Sequence, residues 1–275
     1  MPNIAAGHHL YPVDDGTWLC SRPGDRFVRL SGPPHVVKLL QESAHTGSAI
    51  DVDSLGDDAG LARQLIALLD ERGILEQGQA VSAPASRVSS VLVDGDTPIA
   101  EAVAGLIEDC GDVTVGIADE GAVSAADVVV SCATWLPDAR WAELQNWCTT
   151  YRTVWHRCHS EGDRFFVGPL WSPTSTNADY HDVRGRRLAA SGVADHLLDH
   201  WRYLDDPTSI LPPVRWPHRA GIAVVAGCIA SEVRAYLTTG DTAIGSVQLE
   251  VDPASANIVH HPVLPIPFRR GTAAR

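Results

Sequence analysis

Residues 89–100 read SSVLVDGDTPIA, and they decide the fold of the larger part of the chain. The apolar run at residues 89–93 is typical of a buried strand, and residues 98–110 have the spacing of an amphipathic helix. A strand that turns directly into a helix predicts the first half of a βαβ unit. Because the alternation continues downstream, we predict an α/β domain with a mainly parallel sheet over residues 86–275.

The other elements of this domain follow from the same criteria. Strands are predicted at residues 112–117, 127–131, 153–156, 165–167, 245–252 and 259–265, and helices at residues 138–149, 192–204 and 221–237. The helix at residues 221–237 carries small residues on several faces. That pattern suits close packing in a homodimer or a buried core helix.

The loop after the first strand lacks the residues of a phosphate site. A dinucleotide or ATP loop needs G-x-G-x-x-G, because glycines let the backbone approach phosphate at the positive end of a helix. Only Gly95 is present; Asp94 and Asp96 flank it, and Pro98 removes one amide donor. An aspartate at a helix start is by itself an ordinary cap. We therefore expect the fold without nucleotide binding and without a cofactor.

Residues 1–80 form a smaller module by the same criteria. Residues 18–21 and 27–30 flank the turn-rich stretch RPGD and predict a β-hairpin, and residues 35–43 and 57–72 have helical spacing. A small hairpin with short helices predicts a winged-helix-like α+β module. The stretch QGQAVSAPAS at residues 77–86 has no apolar period and predicts a linker.

Charge and composition exclude several classes of protein. The formal net charge of −13 disfavours contact with nucleic-acid phosphates and anionic lipid. The N-terminus lacks the pattern of a signal peptide, and the apolar run from Ala220 to Ala230 is shorter than the about 20 residues that cross a bilayer. The six cysteines form no C-x-x-C pair, which fits reduced thiols. We therefore expect a cytoplasmic protein that binds neither nucleic acid nor membrane.

Residues 168–187 read GPLWSPTSTNADYHDVRGRR and carry the most specific motif. They resemble the GP…PG-x-T-A-C-Y-x-C…RR segment of ThiF-like cyclodehydratase partner proteins, found in the biosynthesis of azoline-containing ribosomal peptides. In that family the two cysteines supply half of a structural tetrathiolate zinc site, and a second pair lies near the C-terminus. Here Asp179 and Asp182 stand in the matching positions, and residues 261–268, HPVLPIPF, match the approach to the second pair without a cysteine.

The loss of all four thiolates predicts loss of the zinc site, because structural zinc prefers Cys and His ligands. Two carboxylates with a distant histidine remain a weaker alternative. We expect no metal, and we expect both aspartates to be solvated or paired with arginines of the same segment. Those arginines are Arg184, Arg186 and Arg187.

Two histidine clusters favour structural or surface roles. Residues 156–159 read HRCH on a predicted strand, where His156 and Cys158 share a face and His159 points the other way. His196 and His200 have helical spacing, but Leu197 stands where a zinc protease has Glu. Neither cluster supports a catalytic assignment.

The N-terminal module resembles the PqqD-like recognition element of peptide-modifying systems. In that family the leader of a precursor peptide adds as an antiparallel strand to the edge of a small sheet, beside a helix. The matching strand positions are Phe27, Val28, Arg29 and Leu30. The matching positions on the facing helix are Arg63, Gln64 and Ala67. A winged helix that serves only as a dimer or partner contact is the alternative.

The resemblance implies a non-catalytic subunit that binds a ribosomal precursor peptide and presents it to a YcaO-type cyclodehydratase, the partner that binds ATP. It also implies a homodimer. One alternative is an active adenylating enzyme of the ThiF type, which needs an intact phosphate loop and a lysine near the phosphates. Lys38, the sole lysine, lies in the N-terminal module and counts against that alternative. The other alternative is a structural homodimer without peptide binding.

Overall fold

The computed structural model describes residues 2–4, 8–13, 17–22, 24, 26–46, 52–77, 89–242 and 244–267. The chain divides into two compact units, Met1–Ala85 and Ser86–Arg275, each with its own hydrophobic core. The division falls in the stretch that the composition predicts to be a linker, most of which lies outside the described residues.

The first unit is a small α+β fold. Its elements are β1 (Pro2–Ile4), β2 (His9–Pro12), β3 (Trp18–Arg22), β4 (Arg26–Leu30), α1 (Pro34–Thr46), a 3-10 helix (Asp53–Asp58), α2 (Ala59–Glu71) and β5 (Leu75–Gln77). Strands β2, β3 and β4 form an antiparallel sheet in that order, and β1 pairs with β5. The predicted hairpin and both predicted helices are present. The sequence does not predict β2, because its four residues are too few to show alternation and end in a proline.

The register of the hairpin gives β4 an inner and an outer face. Val28 and Leu30 point inward and pack with residues of α1 and α2 in the core of this unit. Phe27 and Arg29 alternate with them and lie on the outer face. Among the described strands β4 pairs only with β3, so it forms an edge of the sheet.

The second unit has an α/β fold. Its elements are β6 (Ser90–Asp94), α3 (Pro98–Ile107), β7 (Asp112–Gly116), α4 (Glu120–Ala125), β8 (Val128–Cys132), α5 (Asp138–Tyr151), β9 (Val154–Glu161), β10 (Arg164–Val167), α6 (Tyr180–Ala190), α7 (Ala194–Asp205), α8 (Arg219–Thr239), β11 (Val247–Asp252) and β12 (Asn257–Pro262). The strands form a seven-stranded sheet with the order β12-β11-β10-β9-β8-β6-β7. The predicted α/β class is confirmed.

The sheet has a parallel half and an antiparallel half. Strands β6, β7, β8 and β9 are parallel neighbours, which fits the strand–helix alternation of the sequence. Strands β10, β11 and β12 continue the sheet beyond β9 in antiparallel pairs. Two of the connections are short: residues 162–163 join β9 to β10, and residues 253–256 join β11 to β12, whereas residues 168–246 join β10 to β11 through three helices. Turns of this length permit only antiparallel neighbours.

Helices cover both faces of the sheet. Alternate side chains of a strand point to opposite faces, which a strand period of two residues requires. Val91 and Val93 of β6 pack with α3 and α8 on one face. Leu92 of β6 and Val129 of β8 pack on the other face, in a cluster with residues of α4, α5, α6 and α7. The second unit is therefore a three-layer arrangement with two apolar cores.

Helix α8 extends beyond the apolar run that marks it in the sequence. With 21 residues it is the one helix within the described residues that is long and apolar enough to cross a membrane. Val225, Ile229 and Val233 are, however, fully buried in the core beside the sheet and α3. A core helix passes the same length test, and α8 buries one of its faces in this core.

The turn from β6 into α3 depends on Gly95. Its φ of +132° is a backbone conformation that residues with a side chain rarely adopt. A Cβ atom at this position would lie 2.3 Å from the carbonyl oxygen of Cys132, at the end of β8. The close approach of two backbones therefore requires glycine here, whether or not a ligand binds.

We expect Gly95→Ala to lower the free energy of unfolding by about 2 kcal/mol or more, because the strained φ and the backbone overlap act together. Gly105→Ala in α3 is the matched control, since a Cβ atom there meets nothing within 4 Å. The control should leave stability unchanged or raise it by up to about 1 kcal/mol through helix propensity. Urea denaturation compares the two variants, and equal stabilities would contradict the role given to Gly95.

Candidate functional site

The start of α3, where a nucleotide phosphate would bind, is capped by the protein itself. The hydroxyl of Thr97 accepts a hydrogen bond from the N–H of Ala100 at 3.1 Å and donates one to the carbonyl of Cys132 at 3.4 Å. Pro98 follows at the first helical position and fixes the point where the helix begins. The expectation of an aspartate cap is therefore wrong, because the residue directly before Pro98 is a threonine.

The three positions of the predicted degenerate loop have separate roles. Asp94 accepts the N–H of Ala118 at 3.0 Å and so ties the end of β6 to the segment after β7. Gly95 makes the close turn, and Asp96 is exposed. Two carboxylates and an internal cap lie where a phosphate needs free N–H donors. That the loop binds no nucleotide stays a prediction.

Asp179 and Asp182 form a capping box at the start of α6. The carboxylate of Asp179 accepts the N–H of Asp182 at 2.8 Å, and the carboxylate of Asp182 accepts the N–H of Asp179 at 3.1 Å. Both carboxylates lie at the positive end of the helix, where negative charge is stabilised. The two positions that match zinc ligands of the family thus start a helix that the apolar pattern does not predict.

Asp182 and Arg186 also hold the segment that follows β12. The second carboxylate oxygen of Asp182 accepts the N–H of Ile266 at 2.8 Å. The guanidinium of Arg186 donates to the carbonyls of Leu264 at 2.8 Å and Pro265 at 3.0 Å. We call these three contacts the C-terminal staple. They join the start of α6 to the end of the described chain.

Apolar contacts support the staple. A Cβ atom at Gly185 would lie 2.6 Å from Cδ1 of Ile266, so glycine makes room for this side chain. Val263 is buried together with Ala178 and Val183 at the start of α6. Sequence reasoning missed this role of Arg186, Gly185 and Ile266. The spacing Asp-x-x-Asp at residues 179–182 is a capping-box signal that points to the start of α6, but no local pattern points to its contact with residue 266.

Both aspartates are expected to be solvated or paired with an arginine of the segment; Asp182 is 5% exposed, so it is not solvated. Asp182 is buried because the N–H groups at the start of α6 need a hydrogen-bond acceptor in the interior. Arg184 binds Asp138 at 2.8 Å, and Arg187 binds Glu161. Two of the three arginines of the segment, Arg184 and Arg187, therefore have acidic partners on other elements, whereas Arg186 donates to backbone carbonyls.

The described residues contain no group of three or more His, Cys, Asp or Glu side chains arranged to hold a metal. His261 pairs with Glu250 at 2.9 Å, and Phe268 lies outside the described part of the chain. His196 and His200 are exposed on α7. The expectation that zinc is absent stays a prediction.

Strand β9 is buried along most of its length and carries polar side chains on both faces. His156 and Cys158 lie on the face toward α8, where Nε2 of His156 is 3.4 Å from Oε2 of Glu232. That distance allows an ion pair, but the geometry is not that of a hydrogen bond. His159 lies on the opposite face against an indole ring of α5, at 5.2 Å between centroids. The predicted orientation of these side chains is confirmed.

The strand positions predicted to bind a peptide lie on the open edge strand β4. Phe27 is 57% exposed, and Arg29 is exposed beside it on the outer face. Val28 packs on the inner face, and Leu30 is 1% exposed. Because the side chain of Leu30 belongs to the core, this residue can contribute to peptide binding only through its backbone.

The helix positions predicted to face the peptide are exposed on α2. They are Arg63, Gln64 and Ala67. The buried side of α2 lies close to the end of β4, since a Cβ atom at Gly32 would be 3.1 Å from Cδ1 of Leu65. The segment just after β4 therefore contacts the buried side of α2, whereas Arg63, Gln64 and Ala67 are exposed, and peptide binding by these residues stays a prediction.

No protein-family profile and no curated protein matches the sequence. Solved structures do match. A heterocyclase in complex with substrate and cofactor aligns with 96% of this chain at a TM-score of 0.65 and 14% identity. The heterocyclase TruD aligns with 97% at a TM-score of 0.66 and 14% identity. These alignments cover 38% and 42% of the two heterocyclase chains, so this chain spans about two fifths of their length.

A third similar structure is matched over its whole length. E. coli MccB, solved with AMPCPP and MccA, aligns over 98% of this chain and 98% of its own at a TM-score of 0.57 and 12% identity. At such identities the similarity concerns the fold. The fold is that of the ThiF-like heterocyclases, with a mixed sheet and a small antiparallel sheet.

We expect Asp182→Ala to lower the free energy of unfolding by about 2–4 kcal/mol, because the N–H groups of Asp179 and Ile266 lose their acceptor. The end of the chain should also be cleaved faster by a protease under native conditions. Asp199→Ala on α7 is the control: its side chain is 69% exposed, and its loss should cost less than about 0.5 kcal/mol.

Treatment with a chelator distinguishes the C-terminal staple from a metal site. If the staple holds the C-terminal segment, a chelator leaves the melting temperature of the parent protein unchanged, and elemental analysis finds no stoichiometric zinc. About one zinc per chain, together with a melting temperature that falls on chelation, would instead assign this place to a metal.

Proposed function

We propose that this protein binds the leader of a ribosomal precursor peptide and presents it to a YcaO-type cyclodehydratase, without catalysing the reaction itself. The open edge of β4 carries this proposal. An extended peptide that pairs with the edge gains backbone hydrogen bonds, and its alternate side chains give selectivity. Exposed arginines, Arg26 and Arg29 on the strand and Arg63 on the helix, favour acidic side chains in the peptide.

The fold comparison supports a role in heterocycle formation. One similar heterocyclase was solved with its substrate and a cofactor, and the similarity spans about two fifths of such a chain. We therefore propose that this chain recognises the peptide and that the partner catalyses the ATP-dependent step.

We also propose that the protein forms a homodimer. On α8, Ala223 and Ser231 are exposed and Gly227 has open space beside it, so a second helix can approach closely.

An adenylating enzyme is the second candidate function. The full-length similarity to MccB, which was solved with AMPCPP, favours it. The start of α3 counts against it, because Thr97 already caps the helix and Asp94 and Asp96 put negative charge beside it. Calorimetry with ATP and magnesium separates the two candidates: a micromolar dissociation constant would favour the adenylating enzyme, and no binding favours the recognition subunit.

Proline substitution tests strand pairing at β4. Alternate N–H groups of a strand point to opposite edges, so one of Phe27 and Val28 presents its N–H to the open edge. We expect either Phe27→Pro or Val28→Pro to weaken binding of a labelled leader peptide at least about tenfold while the protein stays folded. Phe27→Ala and Val28→Ala keep the N–H and serve as controls. If both folded proline variants bind like the parent, the edge is not the binding site.

Charge reversal tests the electrostatic part of the proposal. We expect Arg63→Glu to weaken leader binding about three- to tenfold at about 20 mM salt and much less at about 500 mM salt, because salt screens exposed charges. Arg202→Glu on α7, whose side chain is 74% exposed, is the matched reversal outside the first unit. Fluorescence anisotropy measures both variants. An equal loss in the control would point to net charge and not to this surface.

A further inference from the structure

An open cleft lies at the amino ends of the parallel strands of the second unit. Its floor includes the first residues of β8 and β9, and its walls include the last turns of α4, α5 and α8. Its volume is about 540 Å³, within the range of about 300–1,000 Å³ that is typical of small-molecule sites. Ligands of open α/β sheets bind at the carboxyl ends of the strands, so this cleft is separate from the degenerate loop at Gly95.

Arg152, the residue directly after α5, brings a positive charge to the cleft. It is the one cation in the described lining, and it is exposed. Its guanidinium forms no hydrogen bond or ion pair with any residue that the structure describes. The charge of this side chain is therefore available to a ligand.

The backbone of Arg152 has a conformation that residues with a side chain rarely adopt. Its φ of 60° and ψ of 31° lie in the left-handed region, where a helix usually ends in glycine or asparagine. An arginine in the preceding turn would offset the negative end of the helix dipole without this strain. The dipole therefore does not account for an arginine at this position, and strained residues of this kind cluster at functional sites.

Several hydrogen-bond acceptors of the lining have donors within the protein. The carboxylate of Asp127 accepts the N–H of Ser90 at 2.8 Å. The carbonyl of Ala125, at the end of α4, accepts the hydroxyl of Ser90 at 3.1 Å. The carbonyl of Tyr236, in the last turn of α8, accepts the N–H of Gly240 at 2.7 Å. A cationic ligand would have to compete with these internal hydrogen bonds.

The donors of the lining are in the opposite situation. The hydroxyls of Ser89 and Tyr236 form no hydrogen bond within the described part of the chain, and the guanidinium of Arg152 adds several N–H donors. Such a lining favours a ligand with one negative charge and further acceptors. A ligand with several phosphates is disfavoured, because Asp127 and the C-terminal ends of three helices bring negative charge to the same cleft.

We propose that this cleft binds an organic monocarboxylate whose carboxylate pairs with the guanidinium of Arg152. A guanidinium can hold a carboxylate through two parallel N–H donors. The body of the ligand lies beside the rings of Tyr151 and Tyr236, which line the cleft. The C-terminal end of a peptide and a small organic acid share this chemistry. The volume and the hydroxyl donors favour the peptide end, because its backbone carbonyls are acceptors.

The site does not depend on the peptide binding that we propose for β4. All residues of its described lining belong to the second unit. Loss of leader binding in the variants of β4 therefore leaves this proposal untouched, and failure of the cleft to bind a carboxylate leaves the function of β4 untouched.

NMR titration of the full chain tests the cleft with the tripeptide acetyl-Ala-Ala-Phe and with benzoate. We expect the tripeptide to shift the amide signals of lining residues saturably, with a dissociation constant of about 1 mM or below. Tighter binding of the tripeptide than of benzoate supports the peptide end as the ligand, and the reverse order supports a small acid. The C-terminal amide of the tripeptide should bind at least about tenfold more weakly, because it lacks the charge that pairs with Arg152. No saturable shift with either acid, or equal binding of the amide, would overturn the proposal.

Arg152→Gly distinguishes ligand binding from folding. This variant should be at least as stable as the parent, because glycine adopts the left-handed φ without strain. It should nevertheless bind the tripeptide at least about tenfold more weakly. Arg202→Met, at an arginine of α7 whose side chain is 74% exposed, is the control and should bind like the parent. Binding by folded Arg152→Gly with the affinity of the parent would exclude the role that we give to this arginine.

Discussion

The carboxylate of Asp182 makes the contact on which the second unit depends most. One of its oxygens closes the capping box at the start of α6, and the other holds the N–H of Ile266, far along the chain. One buried side chain thereby joins the start of α6 to the segment that follows β12. The carboxylates of Asp179 and Asp182 lie at the positive end of α6. Burial lowers the pKa of the Arg157 guanidinium, and the charge of these two carboxylates raises it.

Internal contacts also satisfy the start of α3. Gly95 keeps the close backbone turn of a nucleotide-binding loop, whereas Thr97 takes the N–H donor that a phosphate would use. Asp94 is likewise committed to the N–H of Ala118. Each of these contacts stabilises the turn without a ligand. A fold that retains its strand–helix geometry and satisfies its own donors can persist as a scaffold, which is the physical basis for proposing recognition without adenylation.

The sequence predicts the elements whose signal is local. Apolar runs and helical spacing find the parallel strands, the hairpin of the first unit and the core helix α8, although it is longer than its apolar run. The start of α6 also has a local signal, which is the capping-box spacing of Asp179 and Asp182. The resemblance to a metal-binding motif instead leads to the interpretation of these two positions as former ligand positions. The burial of Arg157 has no local signal, because an arginine in a strand gives no indication of the aromatic rings that later surround it. Contacts such as that between Asp182 and Ile266 depend on tertiary structure, which periodicity does not encode.

An open sheet edge that binds peptides must also avoid pairing with itself. Antiparallel pairing of β4 with the same strand of a second copy would bring Arg26 and Arg29 of both copies onto one short edge, where like charges repel. A peptide with acidic side chains would instead be attracted by the charge of the same arginines. The outer face adds Phe27, which gives an incoming strand apolar contact beside that charge. The residues that we propose to attract an acidic leader are therefore also the ones that disfavour self-association of the edge.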